Sequence, residues 1–284
     1  MTTRLLGTHV STSGGVDQAP LRAKEIPVNT IQLFAKNNNQ WLAKKSLSDE
    51  ETESFLKNKK ECGILCSFSH AGYLINLASP DPKNYALSLQ SFAQELERAS
   101  LLELDFVVIH PGAHVGQGME AGIQKIAESF NRVLEEVSLK KTKVLIEGTA
   151  GQGTSIGSKL EELAAILEKV KNKKQMGVCL DTCHLFAAGY DWRLQENYEK
   201  FWKDFDSILG REQLCALHLN DSKGECGSHL DRHEHIGQGK LGLDGFRWMM
   251  QDKRLEKIPM ALETPKEDDF VKCDRMNIAQ LLSL

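Results

Sequence analysis

Short apolar runs rich in Val, Ile and Leu recur along the chain, with segments of helix length between them. Runs of this kind are typical of buried parallel strands, and their alternation with helices is the pattern of βα units. Eight runs match the strand number of a closed (β/α)8 barrel. The predicted strands cover residues 5–10, 30–34, 63–68, 106–110, 143–147, 177–181, 215–219 and 259–263. We therefore predict an α/β fold, a single TIM barrel.

Two segments between these runs have apolar residues at helical spacing. The first stripe contains Leu89, Phe92, Ala93, Leu96 and Ala99, and the second contains Leu160, Leu163, Ala164, Leu167 and Val170. Ser158 followed by Glu161 predicts a capping box at the start of the second helix. No sequence repeat, low-complexity tract or Pro-rich linker divides the chain, so one domain over residues 1–284 is expected.

The composition narrows the setting of the protein. With 284 residues and 41% hydrophobic residues, the chain is long enough for one large core. Seven cysteines without a Cys-x-x-Cys pair favour reduced thiols in a cytoplasmic protein, with Cys179 and Cys183 buried. Because no signal peptide or run of about 18 apolar residues is present, no membrane partner is expected. The absence of coiled-coil heptads favours a monomer.

The overall charge gives no general attraction to nucleic acid. The formal net charge is −4 and the pI is about 6.2, whereas many nucleic-acid-binding domains are strongly basic. Several divalent cations in one cleft would reverse the local potential. Composition therefore leaves the partner open.

His, Asp and Glu residues stand at the downstream ends of six apolar runs. In a barrel these positions converge on the C-terminal face, where the active sites of this architecture lie. The residues at the run ends are His70, His110, Glu147, Asp181, His184, His218 and Glu263, and a loop adds Asp231 and His233. One such histidine is usually structural, but six coincidences favour a shared site.

Metal binding explains this convergence best. Imidazoles and carboxylates without enough opposing Arg or Lys repel one another unless they are protonated or bind a cation. Nitrogen and oxygen ligands without thiolate suit zinc in an open catalytic site. Nine residues exceed the needs of one ion, so two or three ions are implied, and paired ions typically activate water in phosphoester hydrolysis. Spacing alone does not identify the substrate.

Several ordered motifs resemble the endonuclease IV family of zinc-dependent apurinic/apyrimidinic endonucleases, nearly from end to end of the chain. They are Gly7-Thr-His-Val-Ser11, His70-Ala-Gly-Tyr-Leu-Ile-Asn-Leu77, His110-Pro-Gly-Ala-His114, Thr149-Ala-Gly-Gln-Gly153, Asp181-Thr-Cys-His-Leu-Phe-Ala-Ala-Gly-Tyr190, His218-Leu-Asn-Asp221, Asp231-Arg-His233 and Gly245-Phe-Arg-Trp248. The set as a whole is far more specific than a lone His-x-x-His pattern.

The resemblance implies three Zn²⁺ ions, with Mn²⁺ or another divalent ion as an alternative at one site. The first ion would be held by His70, His110 and Glu147; the second by Glu147, Asp181, His218 and Glu263; the third by His184, Asp231 and His233. The implied catalytic residues are Glu147, Glu263 and His110. The implied reaction is base excision repair of duplex DNA with abasic or 3′-blocked lesions. Cleavage 5′ to the abasic sugar would leave a 3′-hydroxyl and a 5′-deoxyribose phosphate.

The resemblance also implies how DNA is contacted. Tyr73 and Leu74 match residues that fill the gap left by the extruded abasic nucleotide. Gln40 and Trp41 match a DNA-contact loop, but Asn39 stands where an intercalating Arg is usual. This departure affects the efficiency of the wedge rather than the chemistry.

Other positions are expected to support the site from outside the ligand set. His9 and His114 match histidines of family motifs that are not ligands. Gly148 stands where Asn is expected, so an outer partner of the ligands is absent, and such partners change metal affinity or activity by roughly 10–100-fold. The glycine-rich loop at 149–153 lacks the P-loop pattern, and we interpret it as a barrel loop whose amides approach DNA phosphate.

Two other functions fit parts of this pattern. Metal-dependent sugar isomerases or epimerases also carry His, Asp and Glu at barrel strand ends, but they need fewer ligands, and Tyr73 and Leu74 have no obvious task with a free sugar. A DNA-damage-binding or scaffold protein that keeps zinc for stability is the non-enzymatic alternative. It predicts that replacing Glu147 unfolds the chain, whereas the catalytic interpretation predicts a folded, inactive variant.

Overall fold

The computed structural model describes residues 4–267 and 269–284. Eight parallel strands close into a barrel. The barrel strands are β1 (Leu6–His9), β2 (Thr30–Leu33), β3 (Cys66–His70), β4 (Phe106–Ile109), β5 (Lys143–Glu147), β6 (Met176–Asp181), β7 (Leu214–His218) and β10 (Met260–Leu262). Their order around the barrel is β1-β10-β7-β6-β5-β4-β3-β2. The predicted TIM barrel is confirmed. A two-stranded antiparallel hairpin, β8 (Asp221–Ser222) and β9 (His233–Glu234), lies outside it.

Helices connect successive barrel strands and cover the outside of the sheet. They are α1 (Gln18–Ala23), α2 (Asp49–Glu61), α3 (Pro82–Leu101), α4 (Met119–Glu136), α5 (Leu160–Lys169), α6 (Thr182–Ala188), α7 (Gln195–Ile208), α8 (Gly242–Gln251) and α9 (Phe270–Leu282). The start of α3 is fixed by its sequence. Asp81 caps the helix by accepting a hydrogen bond from Asn84 N, and Pro82 has no amide hydrogen that would need a partner there.

The core has two layers. The larger layer lies between strands and helices and includes Phe92 of the first predicted stripe and Leu163 of the second, both buried. The smaller layer fills the barrel interior, as is usual for this architecture. Its buried members are Cys66, Phe68, Val108, Leu145, Cys179, Ala216 and Ala261.

Two local predictions need correction. The strand predicted at 63–68 lies at Cys66–His70, because Gly63 takes a left-handed φ of 70° just beyond the end of α2. The capping box of Ser158 and Glu161 does not form. Glu162 instead accepts hydrogen bonds from the amides of Gly157 and Ser158, at 2.7 and 3.0 Å.

The predicted state of the cysteines is confirmed. All seven are free thiols, and Cys179 and Cys183 are buried. Across the described residues, no helix combines the length and the apolar character needed to cross a membrane.

Candidate metal centre

The pleat of the barrel strands aims six of the predicted ligands into one site. Side chains alternate between the two faces of a strand, so the residue two positions after an interior one also points inward. A candidate ligand follows each of six interior residues after two positions, in the pairs Phe68/His70, Val108/His110, Leu145/Glu147, Cys179/Asp181, Ala216/His218 and Ala261/Glu263. The site is therefore the C-terminal layer of the barrel interior.

Two connections contribute the other three candidate ligands. Helix α6 begins directly after β6, and Asp181 caps it by accepting a hydrogen bond from His184 N at 3.0 Å. His184 thus lies one turn above the strand end. The β8–β9 hairpin brings Asp231 and His233 over the same opening, with His184 Nε2 at 3.2 Å from Asp231 Oδ1.

Glu147 lies at the centre of the cluster and is fully buried. One carboxylate oxygen, Oε2, is 3.0 Å from His70 Nε2 and 3.1 Å from His110 Nε2. The other, Oε1, is 2.7 Å from His218 Nδ1 and 3.4 Å from His184 Nδ1. One carboxylate therefore touches four imidazoles, which lie at or just after the ends of four different barrel strands along the chain.

The remaining distances divide the cluster into neighbouring groups. In each of the triplets His70–His110–Glu147 and His184–Asp231–His233, three potential ligand atoms lie within 4.8 Å of one another. Between them, His218 Nδ1 is 3.4 Å from Glu263 Oε2 and 3.9 Å from Asp181 Oδ2. Asp181 Oδ2 is also 3.6 Å from His233 Nε2, so the groups are contiguous.

The outward ring nitrogens of four histidines each face an oxygen acceptor. The contacts are His70 Nδ1 with Ala71 O (2.7 Å), His184 Nδ1 with Gly148 O (2.9 Å), His233 Nδ1 with Glu263 O (3.1 Å) and His218 Nε2 with Gln32 Oε1 (2.6 Å). A nitrogen beside a carbonyl oxygen carries a proton, and the opposite nitrogen faces the carboxylates of the site, where a bound cation would take the place of a second proton. This is the orientation that protein partners impose on metal-ligating histidines.

Two of these inward nitrogens are buried and make no hydrogen bond of good geometry with the described residues, although Asp231 Oδ1 lies 3.2 Å from that of His184. They are Nε2 of His184 and Nε2 of His233. An unsatisfied buried polar atom costs about 1–3 kcal/mol, and a divalent cation satisfies such a nitrogen directly. The donor set and its orientation therefore fit metal ions.

His9 and His235 provide an internal contrast. A side-chain amide donates to Nδ1 of each ring, from Gln32 at 2.9 Å and from Asn277 at 2.9 Å. The proton therefore sits on Nε2, and no lone pair remains there for a cation. The cluster of His235, Glu267 and Cys273 consequently does not fit a metal ion, although its atoms lie close together. His9 adjoins the site, with Nδ1 at 3.9 Å from Glu263 Oε1, and burial lowers its pKa to about 3.

The charged groups of the centre bind one another tightly. Burial opposes ionisation of Glu147, but His218 and His110 hold its pKa well below the ordinary value. Burial likewise opposes protonation of His184, yet Asp181, Asp231 and Glu147 raise its pKa well above the ordinary value. Burial opposes ionisation of Glu263 as well, while His218 and His70 bring its pKa to about 2. Carboxylates and imidazoles thus form one interdependent buried cluster.

Comparison with known proteins assigns the chain and its fold to a family. A family model described as "Xylose isomerase-like TIM barrel" matches residues 20–280. The chain is 43% identical to "Probable endonuclease 4" of Chloroflexus aurantiacus, over 98% of this chain and 97% of that protein. It is also 43% identical to "Probable endonuclease 4" of Geobacter sulfurreducens, over 98% of this chain and 94% of that protein. The chain belongs to the endonuclease IV family. The predicted enzyme class, a nuclease, is thereby confirmed.

Solved structures agree with this placement. The crystal structure of endonuclease IV from Thermus thermophilus superposes with a TM-score of 0.86 at 33% identity, covering 99% of this chain and 98% of that one. A D-tagatose 3-epimerase-like protein has a TM-score of 0.74 at 16% identity, covering 98% and 97% of the two chains, and shares the fold. The sugar-epimerase alternative thus has a likeness of fold only.

The residues predicted to contact DNA in this endonuclease IV family member lie on two adjacent loops. Tyr73 and Leu74 are 66% and 40% exposed, which is high for apolar side chains. The Tyr73 ring packs against Phe34, with 5.7 Å between centroids. Asn39 is exposed on the neighbouring loop, next to the half-buried side chains of Gln40 and Trp41. The surface beside the candidate metal centre therefore exposes apolar side chains on one loop and a polar side chain on the neighbouring loop.

The other positions predicted to support the site, His114, Gly148 and the 149–153 loop, differ in whether they contact it. The hydrogen bonds described for His114 are with Gly118 N, Gln117 N and Thr154 O, in loops above the barrel, rather than with a candidate ligand. Gly148 contributes its carbonyl to His184, so its backbone supports a ligand although its side chain is absent. In the 149–153 loop, a Cβ at Gly151 would meet Ser158 at 2.9 Å, whereas nothing lies within 4 Å of one at Gly153. Only the Gly153 end is open enough for the predicted approach to phosphate.

Two supporting residues were missed in the sequence analysis. Gln32 donates to Glu263 Oε1 at 2.5 Å and accepts from His218 Nε2. Asn220 donates to Asp181 Oδ2 at 2.6 Å and accepts from the amide of Glu263 at 2.8 Å. The signal for Gln32 was its place two residues after Thr30 on the predicted second strand, the same inward phase as the ligands.

Proposed function

We propose that this chain is a DNA repair endonuclease that hydrolyses the phosphodiester bond 5′ to abasic sites in duplex DNA. The products are a 3′-hydroxyl and a 5′-deoxyribose phosphate, and the enzyme also removes blocking groups from 3′ ends in base excision repair. The observation that carries this proposal is the set of nine candidate ligand residues centred on Glu147, with ring nitrogens of the histidines directed into the site. The names of its relatives agree with it.

The centre would hold three divalent ions, zinc by preference, with Mn²⁺ or another divalent ion as an alternative at one position. His70, His110 and Glu147 would hold the first; Glu147, Asp181, His218 and Glu263 the second; His184, Asp231 and His233 the third. When bound, such ions activate water and stabilise the negative charge of a phosphodiester under attack. They also make an acidic cleft attractive to DNA despite a net chain charge of −4.

The protein groups at the mouth of the site indicate where the phosphate approaches. The side chains of His110 and Asp231 are each 36% exposed, whereas Glu147 is fully buried. The phosphate therefore meets the His110 and Asp231 side of the centre. Glu147, Glu263 and His110 are the residues we assign to catalysis, because they face the reacting phosphate or orient the groups that do.

The adjoining surface suits a lesion with a missing base. The exposed Tyr73 and Leu74 would fill the gap left when the abasic nucleotide is extruded, and such a nucleotide costs less to unstack than an intact one. Asn39, Gln40 and Trp41 would contact the duplex from the neighbouring loop. Duplex DNA is thus the proposed partner, with the enzyme acting as a monomer. Its seven free thiols agree with a cytoplasmic setting.

The proposal is tested with a duplex carrying one tetrahydrofuran abasic analogue and zinc-loaded protein without added magnesium. A sequencing gel should show one cut immediately 5′ of the analogue, and a DNA polymerase should extend the new end, because it is a 3′-hydroxyl. The same duplex without the lesion and the Glu147→Gln variant are the controls and should give no cut. An uncut analogue duplex together with turnover of free sugars would replace this proposal with the isomerase interpretation.

A further inference from the structure

A buried ion pair underlies the two loops predicted to contact DNA. Lys36 Nζ lies 3.1 Å from Glu95 Oε1, and each side chain is only 1% exposed. Lys36 follows β2, and Glu95 lies on the inner face of α3. The pair is separate from the nine candidate ligands, and the proposed chemistry does not use it.

Each member of the pair holds one loop by its backbone. Lys36 Nζ donates to the carbonyl of Gln40 at 3.1 Å, which fixes the β2 loop (residues 34–45). Glu95 Oε1 accepts from the amide of Gly72 at 3.1 Å, which fixes the β3 loop (residues 71–76). The loops also touch directly, because a Cβ at Gly72 would lie 3.3 Å from the carbonyl of Asn38. One ion pair therefore joins the two loops to a single helix.

Other side chains of α3 tether the β2 loop in the same way. Gln94 Oε1 accepts from the amide of Ala43 at 2.6 Å, and Arg98 donates to the carbonyls of Ala35 and Lys45 at 2.6 and 3.2 Å. All of these bonds reach backbone atoms, so they set the path of the loop and leave the side chains of Asn39, Gln40 and Trp41 free to face outward.

We propose that Lys36 and Glu95 are positioning residues for the DNA-contact surface. A buried ion pair adds little net stability compared with an apolar pair of similar volume, but its directional bonds specify one relative placement of the groups that it joins. The pair holds the 39–41 segment and the Tyr73–Leu74 tip at one spacing, so that both enter a duplex together. This inference rests on the proposed function, because it assigns DNA contact to the two loops.

The test uses the full chain with the double substitution Lys36→Met and Glu95→Met. Both tethers are removed without leaving an uncompensated buried charge. Two control variants accompany it: Arg132→Met with Glu136→Met removes an exposed pair on α4, and Val133→Ala lowers stability at a buried position of the same helix. Melting temperature and circular dichroism verify that every variant is folded.

Three readouts separate positioning from general damage. Amide hydrogen exchange without DNA should accelerate at Gly72 and residues 37–42 in the double variant and remain unchanged there in both controls. The Kd and KM for the tetrahydrofuran duplex should rise about tenfold, equivalent to about 1.4 kcal/mol. The kcat at saturating DNA should stay within about threefold of the wild type, because the metal centre is intact.

Other results would contradict the positioning role of Lys36 and Glu95. Unchanged exchange in the two loops would show that the pair does not position them. Faster exchange with unchanged Kd and KM, or a fall in kcat alone, would show that positioning is not needed for DNA binding. A wild-type protein that leaves the abasic duplex uncut overturns the proposed function, whereas a wild type that cuts with an unaffected double variant overturns only this inference.

Discussion

At the scale of single residues, hydrogen-bond partners separate the candidate metal ligands from the other histidines. His70, His184, His218 and His233 place one ring nitrogen against an oxygen acceptor, and their other nitrogen faces the site. His9 and His235 instead receive a donor on Nδ1. The sequence motifs locate the histidines, but the structure supplies the reason why only some of them fit a metal ion.

Gln32 is the outer residue whose loss should affect the centre most clearly, because it contacts both His218 and Glu263. We expect Gln32→Ala to lower zinc affinity or activity by roughly 10–100-fold, the effect usually seen when a partner of a metal ligand is removed. Competition with a chromophoric chelator measures the affinity. Gln124→Ala, on the exposed face of α4, is the control, and equal affinities of the two variants would count against this role.

Gly148 should tolerate a side chain, despite its place beside the central carboxylate. Its backbone is not in the left-handed region, and a Cβ would make ordinary contacts of 3.4 Å with Leu180 and 3.9 Å with Leu185. Gly148→Ala is therefore expected to raise the free energy of unfolding by about 0.4–1 kcal/mol, because it restricts the unfolded chain. Urea titration measures this, and a loss of stability would show that the site lacks the room.

At the scale of elements, the sequence predicts which strand residues face the barrel interior. It does not predict where the turns between elements end or which distant residues make contact. The 143–147 strand was predicted with its observed bounds, and its inward phase ends on Glu147. The third strand was placed three residues early, because Gly63 adjoins the apolar run although it closes the turn after α2. The nine candidate ligands were found from their places after the apolar runs and from motifs, whereas Gln32 and the Lys36–Glu95 pair depend on contacts between residues distant in sequence.

Helix capping is also only partly predictable from the sequence. Ser158 has the right sequence spacing, but Glu162 reaches the 157–158 amides first, and the helix starts at Leu160. The capping box that does form is at Ser48 and Glu51 of α2, where each side chain accepts from the other residue's amide at 3.0–3.1 Å. The Ser-x-x-Glu spacing therefore predicts a capping box only where no other carboxylate, such as that of Glu162, binds the same amides.

Ser48→Ala should therefore destabilise the protein by about 1 kcal/mol, the usual loss for a helix N-cap. Ser48 is exposed, and its described side-chain bonds are with Glu51, so kcat should be unchanged. Thermal unfolding and the incision assay measure the two quantities, with exposed Ser46→Ala as the control. A Ser48 variant as stable as this control would show that the capping box contributes nothing.

At the scale of the whole molecule, one face of the barrel carries both the candidate metal centre and the surface proposed to contact DNA, while the rest of the fold supports them. If ions bind only the folded protein, they add to its stability by mass action. We expect a chelator to abolish incision and lower the melting temperature, with far-UV circular dichroism retained below that temperature because none of the candidate ligands belongs to the apolar core. Added zinc should restore both. A melting temperature unaffected by the chelator would contradict a resident metal.

The most direct test of the central claim is the metal content of the wild-type protein after dialysis against excess zinc and then metal-free buffer. Mass spectrometry of the metal and amino-acid analysis of the protein together give the molar ratio. Nine donors in three contiguous groups predict three zinc ions per chain. A ratio of one, in a protein that is folded and active on abasic DNA, would contradict the three-ion centre.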